Sequence, residues 1–146
     1  MSERIKSRLQ DSLDWKSVRL ADYITINPES LGSGTSDDYA FRYIDISSVE
    51  NGSVDWSQVE TYTYAAAPSR AKRIVRPGDV LLSTVRPNLK GHTYADWSTS
   101  DELVCSTGFA VLRAKERVES SFLHHLVFSD LVDYQLRERV TGSNYP

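Results

Sequence analysis

A one-domain α+β fold is predicted by three observations on this sequence. Short runs rich in branched and aromatic side chains, bounded by Gly, Pro or Asn turn signals, recur from Ile24 to Ala114. From Phe122 onward the apolar spacing lengthens to three and four residues, which is the helical period. The 146 residues, 40% apolar and 25% charged, match ordinary globular usage and suffice for one core. Strands that precede helices, rather than alternate with them, define the class.

Taken in order, Ser7 to Asp14 can form a thin amphipathic helix through Leu9 and Leu13. Trp15, Val18, Leu20, Tyr23, Ile24 and Ile26 form an opening segment that packs on the core and ends in an Asn27-Pro28 turn. The stretch Gly32-Ser-Gly-Thr-Ser-Asp-Asp38 is a flexible loop whose glycines lack the spacing of a phosphate-cradling loop. Phe41 to Ile46 is a strand, followed by the strong turn signal Asn51-Gly52 and a second strand over Val59 to Tyr64. Pro68-Ser69 is predicted to open a short helix, with Ser69 as its cap and Arg70, Lys72 and Arg73 on its surface. A Pro77-Gly78 turn then feeds a buried strand over Asp79 to Val85, apolar in succession and rich in branched side chains. Further strands are predicted at His92 to Trp97 and Gly108 to Ala114. The closing helix, capped by Ser120 or Ser121, breaks near Ser129-Asp130, and residues 140 to 146 leave it as a loop.

Composition excludes several classes. No apolar stretch approaches the ~18 residues that cross a bilayer, and the N-terminus lacks the pattern of a secretory signal, so a cytoplasmic location without membrane contact is expected. Cys105 stands alone, which rules out an internal disulfide and a cysteine-rich zinc site; it is expected to be buried beside a strand. The net charge of -3 conceals an asymmetry: Ser69 to His92 carries +5 against -8 elsewhere. A focused basic patch on an acidic body attracts a polyanion, although a solvated charged face would look the same.

Three stretches together resemble the target recognition domain of type I restriction-modification specificity subunits. They are Phe41-Arg-Tyr-Ile-Asp-Ile46, the run from Ser69 through Arg-Pro-Gly-Asp-Val-Leu-Leu-Ser-Thr-Val-Arg-Pro-Asn-Leu to Lys90, and Thr141-Gly-Ser-Asn-Tyr-Pro146 after a helix. The middle run is the most specific. The resemblance implies a mixed, strongly curved β-sheet flanked by short helices, in one domain over residues 1–146: an arm or helix at 1–14, a core at 15–140, and a loop at 141–146 leading toward a long conserved helix that this sequence lacks. It implies double-stranded DNA as ligand, with one domain reading half of a split site. It also implies a methyltransferase subunit using S-adenosylmethionine and a restriction translocase using ATP and Mg as partners, with no cofactor on this chain. The chain would be a fragment of a longer subunit, or a half-length subunit that self-associates.

The residues suit that task. Arg70, Lys72 and Arg73, on the predicted helix, are candidates for phosphate contact. In Arg86-Pro87-Asn88-Leu89-Lys90, a stiff proline would aim Arg86 toward a guanine edge or Asn88 toward an adenine edge, with Lys90 beside them. Asn88 and Gly91 are also ordinary turn formers. Ser143 and Asn144 around Gly142 are further DNA-contact candidates, although glycine is equally expected after a helix. Tyr62 and Tyr64 can stack on bases or simply pack.

A small metal-dependent nuclease or hydrolase is the alternative from another class, with Asp45, Asp79, His92 and Asp96 as its candidates. They form no recognisable constellation, and the adjacent His124-His125 cannot share one helix face. No nucleophile elbow, glycine-rich methyltransferase loop or metal-nuclease motif is present. A protein-binding module with a basic face is the third reading.

Overall fold

Two four-stranded sheets are pressed face to face, one of them also covered by helices, and a two-stranded hairpin pairs with neither. The computed structural model describes residues 16–95 and 99–139. Its strands are β1 (Ile24–Ile26), β2 (Ala40–Ile44), β3 (Val49–Glu50), β4 (Ser53–Val54), β5 (Glu60–Thr63), β6 (Ala71–Val75), β7 (Val80–Ser83), β8 (Thr93–Tyr94), β9 (Leu103–Ser106) and β10 (Phe109–Ala114); its helices are α1 (Ser120–Val127) and α2 (Asp130–Arg137).

The architecture is α+β, and its strands are divided between sheets rather than gathered into one curved sheet. One sheet has the order β1-β10-β7-β8 and is antiparallel throughout; the other has the order β5-β2-β9-β6 and is mixed, with β2 and β9 parallel. The central core fills the gap between them: Ile44, Val75, Leu103 and Cys105 from the mixed sheet meet Leu81, Phe109 and Val111 from the other. The intervening positions serve the outer layers, as period-two side-chain alternation requires. Val80 and Leu112 face Leu123 and Val127 of α1, while Phe41, Tyr43 and Val104 meet Leu31 on the far side of the mixed sheet. Burying this much apolar surface at roughly 25 cal/mol per Å² is the main force holding the layers together.

The two sheets are sewn together at one corner. β9 and β10 are interior strands of different sheets, separated only by Thr107 and Gly108. A Cβ on Gly108 would lie 2.9 Å from the Ile46 side chain and 3.3 Å from Val85, so glycine is needed there for close approach. β9 itself, buried at all four positions, falls where the sequence reading marks no strand; its run is too short for periodicity to register.

The predicted helix after Pro68 is instead strand β6. Pro68-Ser69-Arg70 turns, with the Ala71 amide donating to the Pro68 carbonyl, and Ala71–Val75 then pairs antiparallel with β9. Three basic residues and a good cap give a helix no apolar stripe, whereas the strand buries Ala71 and Val75. A register shift between Ala71 and Arg73 turns Ala71 toward the outer cluster and Val75 toward the central one.

Of the opening segment predicted to pack on the core, Ile24 is buried and Leu20 packs against the same cluster, whereas Val18 and Ile26 are exposed; the predicted turns and the helix break are found where expected. Asn51 and Gly52, both at positive φ, form the two-residue turn between β3 and β4. Gly78 (φ 89) completes the Pro77-Gly78 turn. The closing helix breaks at Ser129, whose hydroxyl accepts the Val132 amide to cap α2; Glu119, rather than a serine, precedes α1 and makes no side-chain cap. Ser7 to Asp14, Trp15, Asp96, Trp97 and residues 140 to 146 lie outside the described residues.

Candidate nucleic-acid interface

Strand polarity decides which loops meet. β2, β9 and β7 all finish at one rim, and β6 starts there, so the segments following Ile44 and Ser83, the Pro68–Arg70 turn and the Thr107-Gly108 corner are brought together. Hydrogen bonds fasten them: the Thr107 amide donates to the Arg70 carbonyl at 2.9 Å, and the Thr84 amide and hydroxyl both donate to the Gly108 carbonyl at 2.9 Å. The Tyr43 hydroxyl donates to Asp45 at 3.2 Å on the same rim. Burial pushes the Tyr43 phenol up to about 12, against the opposing pull of the nearby Arg70 charge, so it remains a neutral donor.

Arg86 projects from this rim on a turn of unusual backbone. Pro87–Leu89 is a single 3₁₀ turn flanked by two non-glycine residues in the left-handed region, Arg86 at φ 48 and Lys90 at φ 51. Arg86 also precedes a proline, a second steric restriction. Such a conformation costs about 1–2 kcal/mol per residue and persists only where neighbours impose it. Here Pro87 is buried, the Leu89 amide donates to the Arg86 carbonyl at 3.0 Å, and the Ser83 hydroxyl donates to the Val85 carbonyl at 2.9 Å. At the far end Lys90 Nζ donates to the Phe128 carbonyl at 3.2 Å, at the end of α1, and lies 3.8 Å from Asp130. Beneath the turn, His92 is buried and its Nδ1 accepts the Ser83 amide at 2.9 Å, which fixes the proton on Nε2.

The predicted site residues thus fall into groups. Arg70, Arg86 and Asn88 are exposed around one rim, and neither arginine has an ion-pair partner among the described residues. Lys72 lies on the outer face of the mixed sheet, its ammonium 5.1 Å from the Tyr64 ring. Arg73 is half-buried in β6 beside Cys105, with its Nε buried and unpartnered. Lys90 serves as a tether between turn and helices. Ser143 and Asn144 lie outside the described residues.

The positive charge of the middle segment is dispersed further. Arg76 pairs with Glu29 at 3.0 Å and Glu102 at 3.5 Å, and Arg113 forks onto buried Asp79 through two 2.9 Å bonds while also reaching Glu29 at 2.8 Å. Arg76 and Arg113 together hold the Glu29 carboxyl down to about 2. This network occupies the opposite end of the sheets, near the Pro77-Gly78 turn. Asp79 and His92 are thereby committed to structural bonds, and no cluster of three metal-ligating side chains exists among the described residues. The sequence reading missed Thr84 and Thr107 as the fasteners of the rim. A Thr-Gly pair between two buried runs was the available signal.

No protein-family model matches this sequence, and no curated protein matches it either. Solved structures do. A chain from a type I R-M system, solved for its complex assembly and conformational transition, is 33% identical with a TM-score of 0.64 over 85% of this chain and 34% of its own length. The HsdS subunit from Thermoanaerobacter tengcongensis is 32% identical with a TM-score of 0.64 over 84% of this chain and 34% of its own. The chain has the target recognition domain fold of a type I specificity subunit. This target recognition domain spans about a third of the length of the chains it matches. Within it, the rim formed by Arg70, the 86–90 turn and the Thr107-Gly108 corner exposes Arg70, Arg86 and Asn88. No helix among its described residues is long and apolar enough to cross a membrane.

Proposed function

We propose that this domain reads one half of a bipartite duplex DNA site without chemistry of its own, and directs an adenine methyltransferase subunit and a restriction translocase to it. S-adenosylmethionine, ATP and Mg are used by those partners in the cytoplasm, and this chain binds none of them. The observation that carries the reading is the strained, well-fastened turn that exposes Arg86 and Asn88 at the same rim as Arg70, which has no ion-pair partner among the described residues. Strain at non-glycine residues accompanies functional positioning. Arginine and asparagine are the side chains that fork onto guanine and adenine edges in the major groove, and Arg70 is placed to hold a phosphate. Lys72 and Arg73, on a strand rather than a helix terminus, contribute long-range attraction, and Ser143 and Asn144 are further contacts.

The test is methylation mapping with the domain in its complete specificity subunit, reconstituted with the methyltransferase. Arg86→Ala or Asn88→Ala should relax selection at one base position, by about 1–3 kcal/mol of discrimination. Arg70→Ala should weaken binding to all sequences alike. An unchanged target in the Arg86→Ala/Asn88→Ala double variant overturns the assignment. If the basic rim instead meets an acidic protein, duplex affinity of the complex will be too weak to measure at low salt.

A further inference from the structure

Among the described residues, Leu89 is the most exposed of the large apolar side chains, at 69%, and it occupies the tip of the strained turn next to Asn88. An isolated exposed leucine is unremarkable on a protein surface. This one is different in its support. Its backbone is pinned on both sides by Arg86 and Lys90 in the left-handed region, by buried Pro87 below, and by the Lys90 tether to the Phe128 carbonyl. The fold therefore holds an apolar group mostly in water, between an amide and two cationic residues, outside every core cluster.

We infer that Leu89 is a specificity-determining residue, packing against the C5-methyl of a thymine in the base pair beside those met by Arg86 and Asn88. The inference rests on the DNA-reading assignment above. Thymine alone offers an apolar group among the base edges of the major groove, and an aliphatic side chain is the complement to it. A rigid turn carrying arginine, asparagine and leucine in succession would present a fork for guanine, a fork for adenine and a contact for thymine. Because the turn is already ordered, little conformational entropy remains to be lost when it binds.

The experiment uses the reconstituted specificity and methyltransferase complex on duplexes carrying its mapped site, with each thymine of the half-site replaced in turn by deoxyuridine, which lacks only the methyl. With the unaltered protein, one replacement should weaken binding about fourfold, the equivalent of one buried methyl group. In Leu89→Ala the same replacement should change affinity by less than about 1.5-fold, with all other positions responding as before. Leu89 is exposed, so folding should be unaffected, and a melting temperature within about a degree of the parent verifies it. Sequence-specific binding in which the methyl and Leu89 act independently at every position overturns the inference and leaves the DNA-reading assignment standing, as does a half-site without an A·T pair. A loss of DNA bending in Leu89→Ala, with no thymine-methyl dependence, also overturns it by making the leucine a wedge between base steps. Absence of any sequence-specific binding by the unaltered complex instead overturns the parent reading.

Discussion

Two buried polar side chains set the acid and mutational limits of this domain. Burial, with Lys90 nearby, lowers the His92 imidazole from 6.5 to about 4, and its Nδ1 must stay unprotonated to accept the Ser83 amide. The unfolded chain therefore binds the extra proton first as pH falls. Stability is fully present above about 6.5, is lost progressively toward 4, and loses nothing further from this group below that. The expected loss is about 3 kcal/mol, measurable as a shift in urea midpoint between pH 7 and 4 that His92→Asn should reduce. Glu29, held near 2, adds a second loss between its ordinary 4.5 and that value. Asp79, 1% exposed, depends on the fork of Arg113. Arg113→Ala leaves the buried carboxylate without its counter-charge, held only by the Arg76 amide, and should destabilise by about 3–5 kcal/mol in the same assay.

The strands and helices show what a single sequence discloses. Ser129 caps α2, and Ser129→Ala should cost about 1 kcal/mol. Gly108→Ala forces a Cβ into Ile46 and should cost about 1–3 kcal/mol while displacing the rim, checked by denaturation and by amide exchange at Thr84. The broken closing helix, the Asn51-Gly52 turn and the strands ending at Ile44, Ser83 and Ala114 were legible because their signals are local: period, cap and turn chemistry. β6 was misread for the opposite reason. A proline, a serine and three cations suit a helix N-terminus equally well, and only pairing with β9, some thirty residues away, decides for a strand. Likewise Arg86, Asn88 and Lys90 could be marked from composition, whereas the separation of Lys72 and Arg76 from that turn depends on the ion pairs and sheet faces of the folded chain. The division into two sheets was equally invisible, since the corner at Thr107-Gly108 is made by packing distances.

Across the whole molecule, the continuity of β9 into β10 couples both sheets through one shared core. Heat should therefore unfold them in a single transition, with calorimetric and van't Hoff enthalpies equal; two resolved transitions would contradict that coupling. Long-range attraction to DNA should fall steeply with salt because each phosphate contact releases counterions. Arg70→Ala should reduce the slope of log affinity against log salt by about 0.9, whereas Asn88→Ala should leave it unchanged.

The strain around Pro87 resides in the main chain and its anchors, while the side chains of Arg86, Asn88 and Leu89 contribute nothing to the interior. Letters can thus be exchanged without resetting the type: a library varied at those three positions, with Pro87, Lys90, His92 and Gly108 retained, should yield well-folded proteins whose methylation patterns diverge from one clone to the next.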